Sequence, residues 1–198
     1  MILDTVGHAW SNGTVLFREV DCVFAEGTVT AVVGPSGSGK STLLAILAGM
    51  LRPAHGTVVR PDGCRPLWVF QNPHGVARRR VLDHVALPFL ATGADRRTAD
   101  ARALEVLDRF GLGRRAHARF AELSGGEAQR LMLARGIASG PDLMLVDEPT
   151  AQLDRATAAE VNDAIGALAA SGSVVVVATH DDYTRDACGS VLDLGRYR

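Results

Sequence analysis

The 198-residue sequence predicts an α/β fold: a phosphate-loop core with an antiparallel β portion and a helical insertion. Three observations predict it. The octet Gly34-Pro35-Ser36-Gly37-Ser38-Gly39-Lys40-Ser41 stands between the apolar run 29–33 and Thr42-Leu43-Leu44-Ala45-Ile46-Leu47-Ala48, which reads as a helix. Two more short, continuous apolar runs, 143–146 and 174–178, have the character of parallel strands buried on both faces. From 81 to 110, between these features, the chain has a helical character.

Taken in order, 15–23 and 28–33 read as strands joined through Glu26-Gly27. Pro61-Asp62-Gly63 is a turn signal between Val58-Val59 and the run 67–70, leaving room for little more than a hairpin in 55–67. Within 81–110, Ala101, Leu104, Leu107 and Phe110 form one apolar face, with Arg102, Glu105, Asp108 and Arg109 on others. Ser124 with Glu127 is a capping box, so a helix begins there. Ala158, Val161, Ile165 and Leu168 mark a further helix between the last two strands. Neither internal repeats nor linker-like tracts occur, and the length suits one domain.

Bulk composition narrows the function. At 47% hydrophobic and 22% charged, the chain has the make-up of a soluble globular protein. A formal net charge of −1 argues against a broad electrostatic grip on nucleic acid or anionic lipid. No apolar stretch approaches the roughly 18 residues of a membrane span. Met1-Ile2-Leu3-Asp4 does not begin a secretory signal. Cys22, Cys64 and Cys188 are odd in number and scattered without metal-ligand spacing, as expected of reduced thiols in a cytosolic protein.

The octet matches G-x-x-x-x-G-K-[ST]. Its glycines let backbone N–H groups converge on phosphate oxygens, and the following helix start adds partial positive charge. Lys40 is placed to reach the β- and γ-phosphates, and the Ser41 hydroxyl to hold Mg2+. Downstream lie Leu123-Ser124-Gly125-Gly126-Glu127-Ala128-Gln129-Arg130 and Leu143-Met144-Leu145-Val146-Asp147-Glu148-Pro149-Thr150. With the glycine loop, these resemble the ATP-binding subunits of ABC transporters over nearly the whole chain. LSGGE is the most specific element, because other phosphate-loop enzymes lack it.

The resemblance implies ATP and Mg2+ as cofactors. The nucleotide would be held by Gly34, Pro35, Ser36, Gly37, Ser38, Gly39, Lys40, Ser41 and Thr42. Asp147 would bind the metal with Ser41, and the amide of the Q-loop residue Gln71 would ligand either the Mg2+ or the attacking water. Glu148 would polarise the attacking water, and His180 would be the switch that contacts the γ-phosphate. Trp10 falls where the family has an aromatic that stacks on adenine, whereas nearby His8 reads as a surface polar residue. Ser124, Gly125 and Gly126 would close over the ATP of a partner chain, with Asp154 in the D-loop. Gln152, in the same loop, departs from the small residue usual there.

The implied assembly is a homodimer or heterodimer of ATPase subunits on an integral membrane permease, at the cytoplasmic face of the membrane. The implied domain is single, 1–198, with a helical insertion over 74–125 and a β arm, 55–67, shorter than usual. Val81-Leu82-Asp83-His84-Val85-Ala86-Leu87-Pro88 resembles Val-x-Glu-Asn-Val-x-Leu-Pro of the lipoprotein-releasing and macrolide-exporter-type group, with Asp83-His84 in place of Glu-Asn. Arg78-Arg79-Arg80 before it reads either as a solvated loop or as a contact beside the membrane partner. Export or extraction of a substrate is the implied function. The alternative is an ATPase regulating a non-transporting membrane partner that controls an extracytoplasmic cell-wall enzyme. Soluble ribosome or repair ATPases and nucleotide kinases fit less well: the chain has neither a second ATPase domain nor a long coiled-coil insertion, and it does carry LSGGE.

Overall fold

The computed structural model describes residues 1–151 and 153–197; Gln152, singled out above, lies outside the described residues. Eight strands form two sheets. The antiparallel sheet has the order β2 (Val15–Val23), β1 (Ile2–Ala9), β4 (His55–Val59). The parallel sheet has the order β5 (Pro66–Val69), β6 (Leu143–Asp147), β7 (Val174–Ala178), β3 (Val29–Val33), β8 (Ser190–Asp193). Helix α1 (Lys40–Ala48) lies between the two sheets, where Leu43, Leu44, Ile46 and Leu47 are fully buried. Each such side chain contributes about 1.5–3 kcal/mol by leaving water.

The parallel strands are apolar throughout because both faces are covered. Leu143 and Leu145 of β6 face α1, whereas Met144 and Val146 face the opposite layer. That layer contains α2 (Val81–Ala91), α3 (Arg96–Arg109), α4 (Gly125–Ala138) and α5 (Arg155–Ala170). The expected face of α5 is buried: Ala158, Val161, Ile165 and Leu168 all point inward. The last described elements are the short α6 (Asp182–Asp186), β8 and a 3-10 turn over Leu194–Tyr197.

Three expectations need correction, and a fourth gains detail. The helical span 81–110 divides into two helices. Gly93, at φ +94, ends the first, and Asp95 starts the second by accepting from Thr98 N–H at 2.8 Å. The buried face of α3 is Ala99, Ala103 and Leu107, while Ala101 is exposed and Leu104 is 42% exposed. Small alanines seat α3 closely on α2, so the contact line follows 99 and 103 rather than the larger Leu104. The segment 55–67 is no hairpin either. Strand β4 pairs with β1 in one sheet, β5 pairs with β6 in the other, and the Pro61-Asp62-Gly63 turn carries the chain between them. Finally, a first strand, β1, precedes Trp10, and it buries His8.

Replacing Leu107 by alanine should lower unfolding free energy by about 2–5 kcal/mol in urea titrations. Leu104→Ala should change it by no more than about 0.5 kcal/mol. Equal losses at both positions would contradict the observed packing of α3.

Candidate active site

Parallel strands place the loops after their C-terminal ends along one edge of the sheet, where α/β proteins bind ligands. Four of the expected segments emerge there. The glycine loop follows β3, Asp147 ends β6, His180 lies two residues beyond β7, and Gln71 lies two residues beyond β5. Register levels them: Asp147 is opposite Ala178 of β7, which is opposite Val32 of β3.

The glycine loop is tightly shaped. Gly34, Gly37 and Gly39 have φ of 146°, 77° and 94°, which side chains rarely tolerate. A Cβ at Gly39 would stand 2.9 Å from Phe17 Cε1 and 3.1 Å from Leu16 Cβ, so β2 lies directly beneath the loop. Lys40 Nζ donates to the Gly34 carbonyl at 2.9 Å, drawing the ammonium across the loop. Ser38 is buried, whereas Pro35, Ser36 and Gly37 are exposed and Thr42 is half-buried in the first turn of α1.

Ser41 Oγ donates to Asp147 Oδ2 at 2.8 Å, which ties the glycine loop to the end of β6. Burial pushes the Asp147 carboxyl above its usual range, against the opposing hydrogen bond from Ser41. The next residue turns sharply. Glu148 has φ +50, rare for a side chain of its size, and its N–H donates to the Ala178 carbonyl at 2.9 Å. This turn separates the two adjacent carboxylates. Glu148 Oε1 lies 2.7 Å from His180 Nδ1, while Glu148 Oε2 accepts from Thr179 Oγ1 at 3.3 Å and from the His180 N–H at 3.4 Å. The Glu148 carboxylate is buried and its His180 partner is exposed.

Ser124 begins α4 with the expected capping box: it accepts from Glu127 N–H at 3.2 Å, and Glu127 Oε2 accepts from Ser124 N–H at 2.8 Å. Ser124 and Gly125 are exposed. Among the described residues, no hydrogen bond or ion pair joins Ser124, Gly125 or Gly126 to the glycine loop. Trp10 is also exposed, at the turn between β1 and β2.

Residues 17–151, more than half of the chain, match the ABC transporter family. The chain belongs to that family. It is an ATP-binding ATPase domain of the ABC type. It is 35% identical to the lipoprotein-releasing system ATP-binding protein LolD 1 of Caulobacter vibrioides, over 97% of this chain and 89% of that protein. It is 38% identical to the uncharacterized ABC transporter ATP-binding protein Rv2564 of Mycobacterium tuberculosis, over 93% of this chain, and spans 62% of that protein's length. The dimeric post-hydrolysis structure of the ATP-binding cassette MJ0796, bound to ADP and Pi, superposes with a TM-score of 0.83 at 28% identity, covering 98% of this chain and 94% of that one.

Among the other expected ABC residues, Asp154 is the N-cap of α5 and accepts from Thr157 N–H at 3.1 Å and Thr157 Oγ1 at 2.8 Å. The Thr157 N–H, then its hydroxyl, holds the Asp154 carboxyl below its usual range. Gln71 is exposed. The departure Asp83-His84 has a structural role. Asp83 accepts from Arg80 and Arg96, and buried His84 donates through Nδ1 to the Arg80 carbonyl while its Nε2 accepts from Val76 N–H. These bonds fasten the segment after Gln71 onto α2, and they use Arg80 internally.

Three participants escape sequence reading. Phe17 underlies the glycine loop, and Gln129 reaches from α4 to the Phe70 carbonyl at 3.5 Å, beside Gln71. Thr150 contacts Thr184 Oγ1 at 2.7 Å, joining the segment after Glu148 to that after His180. Their separations from Gly39, Phe70 and Thr184 are 22, 59 and 34 residues and carry no local motif.

Gly39→Ala should abolish ATP binding in calorimetric titration while leaving the far-ultraviolet circular dichroism spectrum unchanged, because the added methyl meets Phe17. Unchanged affinity would show that the loop tolerates the methyl and that its close seat on β2 is unnecessary.

Proposed function

We propose that this chain hydrolyses ATP as one half of a head-to-tail pair of ATPase subunits and drives a separate membrane permease. Export or extraction of a substrate, from the cytoplasmic face of the membrane, is the transport reading. The carrying observation is the pairing of Glu148 with His180 immediately beside the Ser41–Asp147 bond. Similarity to LolD 1, a protein named for lipoprotein release, supports extraction. No helix among the described residues is long and apolar enough to cross a membrane.

The donor set suits Mg2+. Ser41 and Asp147 converge oxygen ligands, which a hard cation prefers, and burial has made the Asp147 charge costly without a cation. Ser41, Asp147 and Gln71 would hold the ion, which when bound neutralises charge on the phosphates. Lys40 exchanges the Gly34 carbonyl for the β- and γ-phosphates as they enter. Backbone N–H groups of 36–39 orient the chain of phosphates. Trp10 stacks on adenine. Glu148 accepts a hydrogen bond from the attacking water and aligns it with the γ-phosphorus; His180 steadies that carboxylate and donates to the γ-phosphate.

The second half of each site comes from a partner. The exposed Ser124 and the N–H groups opening α4 form a helix start suited to an anion, and among the described residues it makes no hydrogen bond or ion pair with the glycine loop. A rotated copy, or a different ATPase subunit, brings this start over the bound triphosphate, with Asp154 at the junction. ATP thereby closes the pair and its hydrolysis opens it.

Glu148→Gln should lower kcat about 10²- to 10⁴-fold and accumulate ATP-dependent dimers in gel filtration. Normal turnover would remove Glu148 from its role. Ser124→Arg should prevent those dimers yet leave ATP binding to the monomer unchanged; loss of monomer binding would contradict the cross-subunit assignment. For the partner, the chain is purified from native membranes and its companions identified by mass spectrometry. A multi-span permease is expected. A small membrane protein bound to a cell-wall enzyme would replace transport with regulation.

A further inference from the structure

The β1–β2 ribbon runs from Trp10 to the residues beneath the glycine loop. Trp10 opens the turn between these strands, and its backbone is held on both sides: its N–H donates to Thr14 O and its carbonyl accepts from Gly13 N–H, each at 2.9 Å. The indole itself is 46% exposed. One ring braces it. The imidazole of His8 meets the indole edge-on, with centroids 5.0 Å apart and planes at 87°.

His8 is only 7% exposed, and neither ring nitrogen has a hydrogen-bond partner among the described residues. A buried imidazole that loses water and gains no hydrogen bond is destabilising by itself. The edge-on contact with Trp10 offsets part of that cost. On the other side, His8 stands opposite Phe17 in the β1–β2 pairing. Phe17 is the ring beneath Gly39. A ring contact, a strand pairing and a close approach therefore lead in turn from Trp10 through His8 and Phe17 to the glycine loop. A cavity of about 280 Å³, lined by His8, Val15, Phe17 and His55, adjoins this chain of contacts and leaves room for a slightly larger ring.

We propose that His8 is a positioning residue for the nucleotide base. It fixes the indole of Trp10 relative to the phosphate loop, so that base platform and phosphate cradle are held at one separation. The site thereby selects a nucleoside triphosphate over a bare polyphosphate. This inference rests on the reading of Trp10 as the adenine platform.

The test is calorimetric titration of the full chain with the non-hydrolysable analogue AMP-PNP and with inorganic tripolyphosphate, both with Mg2+. His8→Ala should weaken AMP-PNP binding about fivefold and leave tripolyphosphate binding unchanged. His8→Phe, which keeps a ring and removes the unpartnered nitrogens, should retain the parent affinity. Adding His8→Ala to Trp10→Ala should cause no further loss, because the brace has nothing left to hold. Parent-like AMP-PNP binding by His8→Ala, or parallel weakening of both ligands, overturns the proposal. If His8→Ala fails to fold, His8→Leu replaces it, and equal affinities for His8→Leu and His8→Phe overturn the proposal. Trp10→Ala separates the two readings. If it leaves the AMP-PNP preference intact, the platform reading fails and takes this inference with it. If it abolishes the preference while His8→Ala does not, the role of His8 alone is lost.

Discussion

The parallel register of β6, β7 and β3 is the constraint on which the site depends. Asp147 and Val32 are both level with Ala178, although they come from distant parts of the chain. That alignment lets Ser41, at the start of α1, meet Asp147 at 2.8 Å. A shift of one residue in any of these strands would turn its side chains to the opposite layer, exchanging the α1-facing set for the one facing α2 and α4. Because both layers are packed, the register is held by the burial of Leu143, Met144, Leu145 and Val146 together. The chemistry at the strand ends is therefore fixed by hydrophobic packing well below it.

On that edge, the departure from regular backbone at Glu148 has a clear consequence. A continued strand would point Asp147 and Glu148 to opposite faces of the sheet. The left-handed conformation instead keeps both on the ligand side but aims them at different partners, Ser41 and His180. Such backbone strain costs on the order of 1–3 kcal/mol and persists where surrounding contacts over-determine it. The bond from Glu148 N–H to Ala178 and the two contacts from Thr179 and His180 are those contacts. Rigid placement of one carboxylate next to another supports dividing metal binding from water activation.

The helical layer holds the signature segment. Its capped α4 leaves Ser124 exposed at the helix start. Gln129, one turn further along α4, reaches back to the backbone beside Gln71. The segment after Gln71 is in turn fastened by His84 and Asp83. The signature helix and the segment around Gln71 thus share a contact.

Local chemistry by itself determined the parts whose meaning lies in short spacing. The glycine octet, the apolar runs of β3, β6 and β7, the Ser124–Glu127 box and the α5 face are each set by neighbours within a few residues, and each was legible. The candidate site residues were named largely through the same motifs and the family they resemble. Tertiary structure decided what depends on partners far along the chain. Small alanines, by allowing close approach, chose the buried face of α3 over the larger Leu104. Pairing of β4 with β1, rather than with β5, assigned two neighbouring strands to different sheets. Burial of His8 against Trp10 and opposite Phe17 followed from a strand, β1, whose mixed composition reads weakly in isolation. Short-range hydrogen bonding and periodicity are written locally; which surface is covered depends on what folds onto it.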